Sequence, residues 1–484
     1  MKSLPVFVFT TVVLALVSPL IGGCGDSQPA EQPDAGPDGG SYDEHIIEGG
    51  GTTGGPIDGL LVLWFFDDPS NDPIEGVQVM VGGDPETALT GASDATGQVV
   101  FEDPTLSGPT DVHYLHDDYP AGSMYGLNAT YVTLGPSVIG YDADPATVEL
   151  SGSATGFDAV PEPDEPGTQH RIALVHFGLS IEDLLTGDYE EIEQAEDPMF
   201  GVAVNMLAPD MPGGGKNEFS LEVYERPGTL FAAAGIYDTV AETFTTYAIA
   251  VDPGFDPGQD PIEDVEIALQ FEVVEANTLE VTVDPVPGAY EQVGGSVFFD
   301  LGADGSFNLG VPPVSPGDPF EIRLPDVTAA PFDEAAILFS VYGAQDVEDE
   351  EDNYPNGQRW VRDVTLEAAI GSGVEIEDLP EPPADLSWDG SELSLSMPGG
   401  ISYGGARAEN EDEDVLWGAT VYDPPKDTIA LPDFPADWGW NGLPESGLRI
   451  YSGTGIIEGD INEAVFDDLW YQSLGGSENV VDVD

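Results

Sequence analysis

The 484-residue chain has one cysteine, Cys24. A lone thiol closes no disulfide within the chain and builds no cysteine-based zinc site, so the domains must hold by core packing. Basic residues are nearly as scarce. Ten Lys plus Arg stand against 92 Asp plus Glu, for a formal net charge of -82. Phosphate backbones need a basic footprint, so nucleic acid is excluded as a partner class, and a site for anionic lipid headgroups is disfavoured on the same ground. There are five histidines, at 45, 113, 116, 170 and 176, and no H-E-x-x-H pattern. Beyond the first two dozen residues no apolar run approaches the ~20 residues of a membrane-spanning helix.

What is abundant points to strands and turns. Gly (60) and Pro (42) make up about a fifth of the chain, which breaks long helices and suits short strands joined by tight turns. Apolar residues, at 41%, are enough for ordinary cores. The expected class is all-β: tandem immunoglobulin-like or transthyretin-like β-sandwiches behind a flexible N-terminal tether.

Met1 and Lys2 precede an apolar run from Leu4 to Ile21, and the run closes on Ile21-Gly22-Gly23-Cys24. One basic residue and a short apolar stretch read as a secretory signal over 1–23. The last four residues resemble the lipobox of bacterial lipoproteins, with Ile21 and Gly22 where that pattern usually has Leu and then Ala or Ser. The resemblance implies that Cys24 becomes the acylated first residue of the mature protein. The membrane is then a partner through lipid on Cys24, at the outer membrane or cell surface. Two or more acyl chains anchor stably where one is marginal. Residues 24–57 are acidic and rich in Pro and Gly, and read as a linker.

Residues 58–150 read as the first sandwich. An apolar run over 60–66 is a buried strand, and Val77, Val79 and Val81 alternate with Gln78 and Met80. Pro73, Gly76, Val79, Ser93, Asp94, Gly97 and Phe101 fall on the pattern of the carboxypeptidase regulatory-like, transthyretin-type sandwich, which this unit resembles. The stretch from Tyr114 onward departs from that pattern. Thr147 to Leu150 reads as the end of the unit. A second sandwich is expected over 151–275, with strands at 171–177, 219–223, 229–233 and 265–269 and a short helix within 181–197. A third β-rich domain is expected over 276–377, with a hairpin across Gly302 to Gly305. The last, 378–484, weakly resembles a fibronectin type III-like sandwich through Leu386-Ser387-Trp388 and the strands after it, with Trp388 and Trp417 in its core.

Chemistry is hard to find. Gly400-Ile401-Ser402-Tyr403-Gly404 spells a nucleophile elbow, yet no helix signal follows Ser402 and no histidine lies after it in the chain. His113 and His116 fall on opposite faces if they lie on a strand. His170 and His176, six apart, can share one. Acid clusters are the kind of loop Ca²⁺ favours, and Asp346, Glu348, Asp352, Glu411 and Asp414 are candidate ligands, with Asp252, Asp256, Asp260 and Asp264 as a further series. In so acidic a chain the expected reading is a solvated acidic face with no cofactor, Ca²⁺ being the alternative. Six of the seven tryptophans lie at or beyond Trp360. Trp438 and Trp440 share a face if they lie on a strand, and with Trp470 they offer a platform for sugar rings. The function expected is non-catalytic: a membrane-anchored acidic lipoprotein of the cell envelope, structural or adhesive, with an unidentified protein or glycan as partner. The alternative is a carbohydrate-binding envelope protein using Trp438, Trp440 and Trp470.

Overall fold

The computed structural model describes residues 42, 45–47, 50–67, 72–135, 147–179, 203–207, 218–240, 243–258, 260–273, 277–333, 335–345, 355–361, 369–410, 415–422, 424–457, 459–464 and 473–483. Cys24, the acid clusters with Asp346, Glu348, Asp352, Glu411 and Asp414, the segment 181–197 and Trp470 lie outside the described residues. Among the described residues no helix is long and apolar enough to cross a membrane.

The fold is all-β, in four groups of strands. The first holds β1 (Gly51–Thr53), β2 (Asp58–Phe65), β3 (Gln78–Val81), β4 (Leu89–Ala92), β5 (Gln98–Ser107), β6 (Thr110–His116), β7 (Tyr119–Leu127) and β8 (Tyr131–Leu134). The second holds β9 (Thr147–Thr155), β10 (Gln169–Gly178), β11 (Ala203–Leu207), β12 (Glu218–Tyr224), β13 (Gly228–Asp238), β14 (Thr243–Phe255), β15 (Ile262–Ala268) and β16 (Phe271–Glu272). The third holds β17 (Thr278–Val283), β18 (Gln292–Asp300), β19 (Ser306–Val314), β20 (Phe320–Arg323), β21 (Ala336–Ala344), β22 (Asn356–Val361) and β23 (Val374–Ile376). The fourth holds β24 (Ala384–Trp388), β25 (Glu392–Ser396), β26 (Tyr403–Asn410), β27 (Val415–Val421), β28 (Thr428–Ala430), β29 (Leu448–Ile457) and β30 (Ser473–Val483).

These groups are not separate beads. One twelve-stranded sheet runs β19-β18-β21-β22-β30-β29-β26-β27-β7-β6-β3-β4 and takes strands from the third, fourth and first groups. The seams are the antiparallel pair β22 with β30 and the parallel pair β27 with β7. The smaller sheet β1-β8-β2-β5 covers one face of β3, β6 and β7, and their core holds Leu61, Phe65, Val79, Val112 and Tyr114. Sheet β24-β25-β28 contributes Leu393, Leu395 and Ile429 to a second core, which takes Met80, Leu115 and Tyr125 from the other face of the first group. Met80 is therefore buried although it alternates with the inward valines, because strand β3 has apolar matter on both sides. The second group repeats the arrangement. Its sheet β11-β10-β13-β14-β16 packs Val175, Phe177 and Leu230 against β9 and β12. From its other face it sends Phe231, Ala233 and Ile249 into the core of the third group.

Two boundary expectations are corrected. Thr147 to Leu150 does not close the first group: β9 pairs with β12 antiparallel and with β15 in parallel. The linker reading also runs too far. Gly51–Thr53 pairs with β8, and Thr52 is buried. Further upstream, His45 stacks on Tyr131 at 3.8 Å between ring centroids. Gly and Thr near Gly51 carry little apolar signal, so their burial was decided by partners remote in sequence.

Candidate functional site

The Asp252 to Asp264 series does not converge. Asp252 lies on β14, while Asp256 accepts a bond from Gly258 N at 2.9 Å within its own turn. Among the described residues no three His, Cys, Asp or Glu side chains are arranged to hold a metal ion.

Trp438 and Trp440 do not share a strand. Trp438 ends a short 3-10 turn, Ala436–Trp438, and Gly439 follows with φ 82. Both indoles are half-buried over Phe434, at 5.6 and 5.8 Å. Their planes meet the Phe434 ring at 31° and 81°, so the two indoles do not lie in one plane. The Pro and Gly of this loop prevent the extended conformation that period-two spacing requires. Trp417 is fully buried, whereas Trp388 is half-buried at the core's margin. Ser402 leads into strand β26, and its Oγ accepts a bond from Ile457 N at 3.0 Å. A strand there removes the geometry of a nucleophile elbow.

His170 and His176 share one face of β10, opposite Tyr237 and Phe231. Burial pushes His176 down to about 4. His113 and His116 fall on opposite faces of β6. His116 lies beside Tyr119 at 5.2 Å, whereas His113 turns toward Tyr125 at 5.5 Å and Phe434 at 6.4 Å.

His113 belongs to the best-built polar cluster described. It stands across the β6–β7 hairpin from Ser123, with Nδ1 and Oγ 2.9 Å apart. Trp417 Nε1, on β27, donates to the same Oγ at 3.2 Å. The Tyr125 hydroxyl donates to the Ala430 carbonyl, and the Lys426 ammonium lies 4.4 Å over the Tyr125 ring. Burial pushes His113 down to about 4; Asp111 opposes the shift and Lys426 adds to it. A hydroxyl beside an imidazole has the makings of a nucleophile and its base. Here Ser123 is 0% and His113 2% exposed, so no substrate reaches them. The cluster ties the first group of strands to the fourth. The two-residue turn at Asp117 and Asp118 pairs His116 with Tyr119, and a register shift between Tyr114 and His116 then moves the partner of His113 to Ser123, which the hairpin spacing alone does not give. Trp417, almost three hundred residues away, gave no local signal either.

A second tie lies near the start of the described chain. Thr52 N donates to the Ala464 carbonyl at 2.8 Å, and Thr52 Oγ1 donates to the Ile461 carbonyl at 2.5 Å. Gly55 N donates to Glu463 Oε1 at 2.8 Å, and Asn128 N to Asn462 Oδ1 at 2.9 Å.

No family model matches the sequence, and no curated protein matches it. Among solved structures, the Bacillus anthracis TIE protein is similar at 10% identity over 66% of this chain and 49% of its own, with a TM-score of 0.14. The shaft pilin SpaA from Lactobacillus rhamnosus GG is similar at 11% identity over 44% of this chain and 98% of its own, with a TM-score of 0.14. BcpA, the major pilin subunit of Bacillus cereus, is similar at 10% identity over 66% of this chain and 98% of its own, with a TM-score of 0.13. Scores this low carry no argument about fold or role.

Proposed function

We propose that the chain is a non-catalytic, lipid-anchored acidic protein of the cell envelope, held at the outer membrane or cell surface through Cys24, with a structural or adhesive role. The observation that supports a structural role is the continuous twelve-stranded sheet, which joins the first, third and fourth groups of strands and presses faces of the first and fourth into shared cores. Long-range sheet pairing of this kind gives a stiff body. The residues with the makings of a catalytic pair, His113 and Ser123, are sealed inside one of its seams. Trp438 and Trp440 serve as a lid on Phe434 in this reading. The sequence resemblances complete it: a lipobox at Cys24, a carboxypeptidase regulatory-like first unit and a fibronectin type III-like last unit.

Fractionation of producing cells tests the anchor. The wild-type chain is expected in the membrane fraction after a high-salt wash, and Cys24→Ser in the soluble fraction. Retention of Cys24→Ser on membranes overturns the lipid-anchor reading. Loss of surface adhesion in cells carrying the released variant, measured against cells carrying the anchored chain, tests the adhesive role.

A further inference from the structure

The seam between the first and fourth groups has an unusual composition. Its backbone part is the parallel pairing of 121–125 with 417–421, extended by Tyr422 N donating to the Tyr125 carbonyl at 2.8 Å. Its side-chain part is the cluster of His113, Ser123 and Trp417, set among Met80, Tyr125 and Phe434. A titratable imidazole thus sits inside an otherwise apolar contact between two units far apart in sequence.

We propose that this seam is an acid-released latch, and that protonation of His113 opens the pairing of β7 with β27.

The groups facing His113 set the direction. Strand β3 presents Met80, β27 presents Trp417, and the segment after β28 presents Phe434, none of which carries charge. Strand β7 presents Tyr125, whose hydroxyl is occupied by the Ala430 carbonyl and whose proton is held more firmly than usual by burial. Asp111, on β6 itself, is the one nearby carboxylate with a resolved influence, and its Oδ1 accepts from Gly126 N at 2.9 Å. Lys426 is the nearby cation. A protonated His113 would place a second positive charge beside Lys426, in a site that excludes water.

The sign follows by linkage. In the closed seam His113 is held down to about 4, against 6.5 when exposed. The open form therefore takes up a proton between these values while the closed form does not. Closure is at full strength above the exposed value and weakens as pH falls toward the buried one.

The test follows the full chain from about pH 7.5 to about pH 4 by hydrogen exchange, corrected for intrinsic rates, and by small-angle scattering. Protection of the amides of 121–125 and 417–421 is expected to drop by about tenfold or more, with a larger radius and unchanged protection at β13 and β18. His113→Gln stays neutral and can still bond Ser123, so its midpoint should fall by about one pH unit or more. Lys426→Met removes the opposing cation, which raises the closed-state value of His113 and narrows its gap from the exposed one, so its midpoint should fall by about half a unit. The same midpoint in all three proteins overturns the latch, as does a simultaneous loss of protection along the whole chain. If His113→Gln does not fold at neutral pH, the Lys426→Met result decides: a downward shift supports the latch, and an unchanged or raised midpoint overturns it.

Discussion

At the scale of single residues, the turn at Gly97 shows what local sequence can specify. Asp94 accepts bonds from Thr96 N at 2.8 Å, Thr96 Oγ1 at 2.6 Å and Gln98 N at 3.2 Å. Partial burial pushes the pKa of this carboxyl up, and the three bonds outweigh that and hold it below the usual carboxylate value. Asp103 with Thr105, Asp326 with Thr328 and Asp389 with Ser391 repeat the device. Gly97 takes φ 74, and a Cβ there would lie 2.3 Å from the Phe65 carbonyl oxygen. Gly97→Val is therefore expected to destabilise the first group by about 1–3 kcal/mol, read as a lowered unfolding midpoint in urea. Ser93 and Asp94 were legible because the partners of their side chains lie within about twenty residues, and Gly97 because it closes the same turn, although the Phe65 carbonyl that crowds it lies further back. Met80 was not, since its burial depends on a strand set more than three hundred residues later in the chain.

Among the strands, interiors were easier to read than allegiances. Apolar runs at 60–66, 171–177 and 229–233 are strands, because burial on both faces leaves a continuous apolar stretch. Which sheet a strand joins is another matter. β9 carries alternating Val148 and Leu150 that suit either neighbouring core, and only its pairing with β12 and β15 assigns it to the second group. The Trp438–Trp440 spacing misleads for a related reason, because period two means a shared face only if the backbone is extended. The hairpin between β18 and β19 was legible, but its use as a strut was not. Thr229 Oγ1 donates to the Asp304 carbonyl and Ser306 Oγ to the Leu179 carbonyl, each at 2.7 Å. Gly305, with φ 100, leaves no room for a side chain: a Cβ would lie 2.3 Å from Thr229 N. Gly305→Ala should cost about 1–3 kcal/mol. Faster amide exchange at both Thr229 and Ser306 would locate that loss at the junction. Normal exchange at Thr229 would mean that the second group does not depend on this hairpin.

For the molecule as a whole, a net charge of -82 makes self-repulsion the general opponent of compactness. Added NaCl screens it, so the unfolding midpoint should rise with salt; a flat response would refute that account. A diffuse acidic face answers to ionic strength, whereas a true Ca²⁺ site adds RT ln(1 + [L]/Kd), about 2.7 kcal/mol at a hundredfold excess over Kd. The diffuse outcome is expected. A saturable one-site isotherm in calorimetry at ~150 mM NaCl would instead assign a site to one of the acid clusters. The order of strands in the large sheet also bears on how the molecule is made. Its middle, β30-β29-β26-β27, comes from the last hundred residues, while the flanking strands β22 and β7 come earlier. A chain emerging N-terminus first thus carries two strand edges with no neighbour until synthesis is nearly finished, and bare edges invite pairing with other chains. A chain stopped before Ala384 should scatter light as aggregates at concentrations where the full chain stays clear. Survival of the nascent protein then depends on something shielding those edges during synthesis, and the final strands act as the keystone that makes the shield unnecessary.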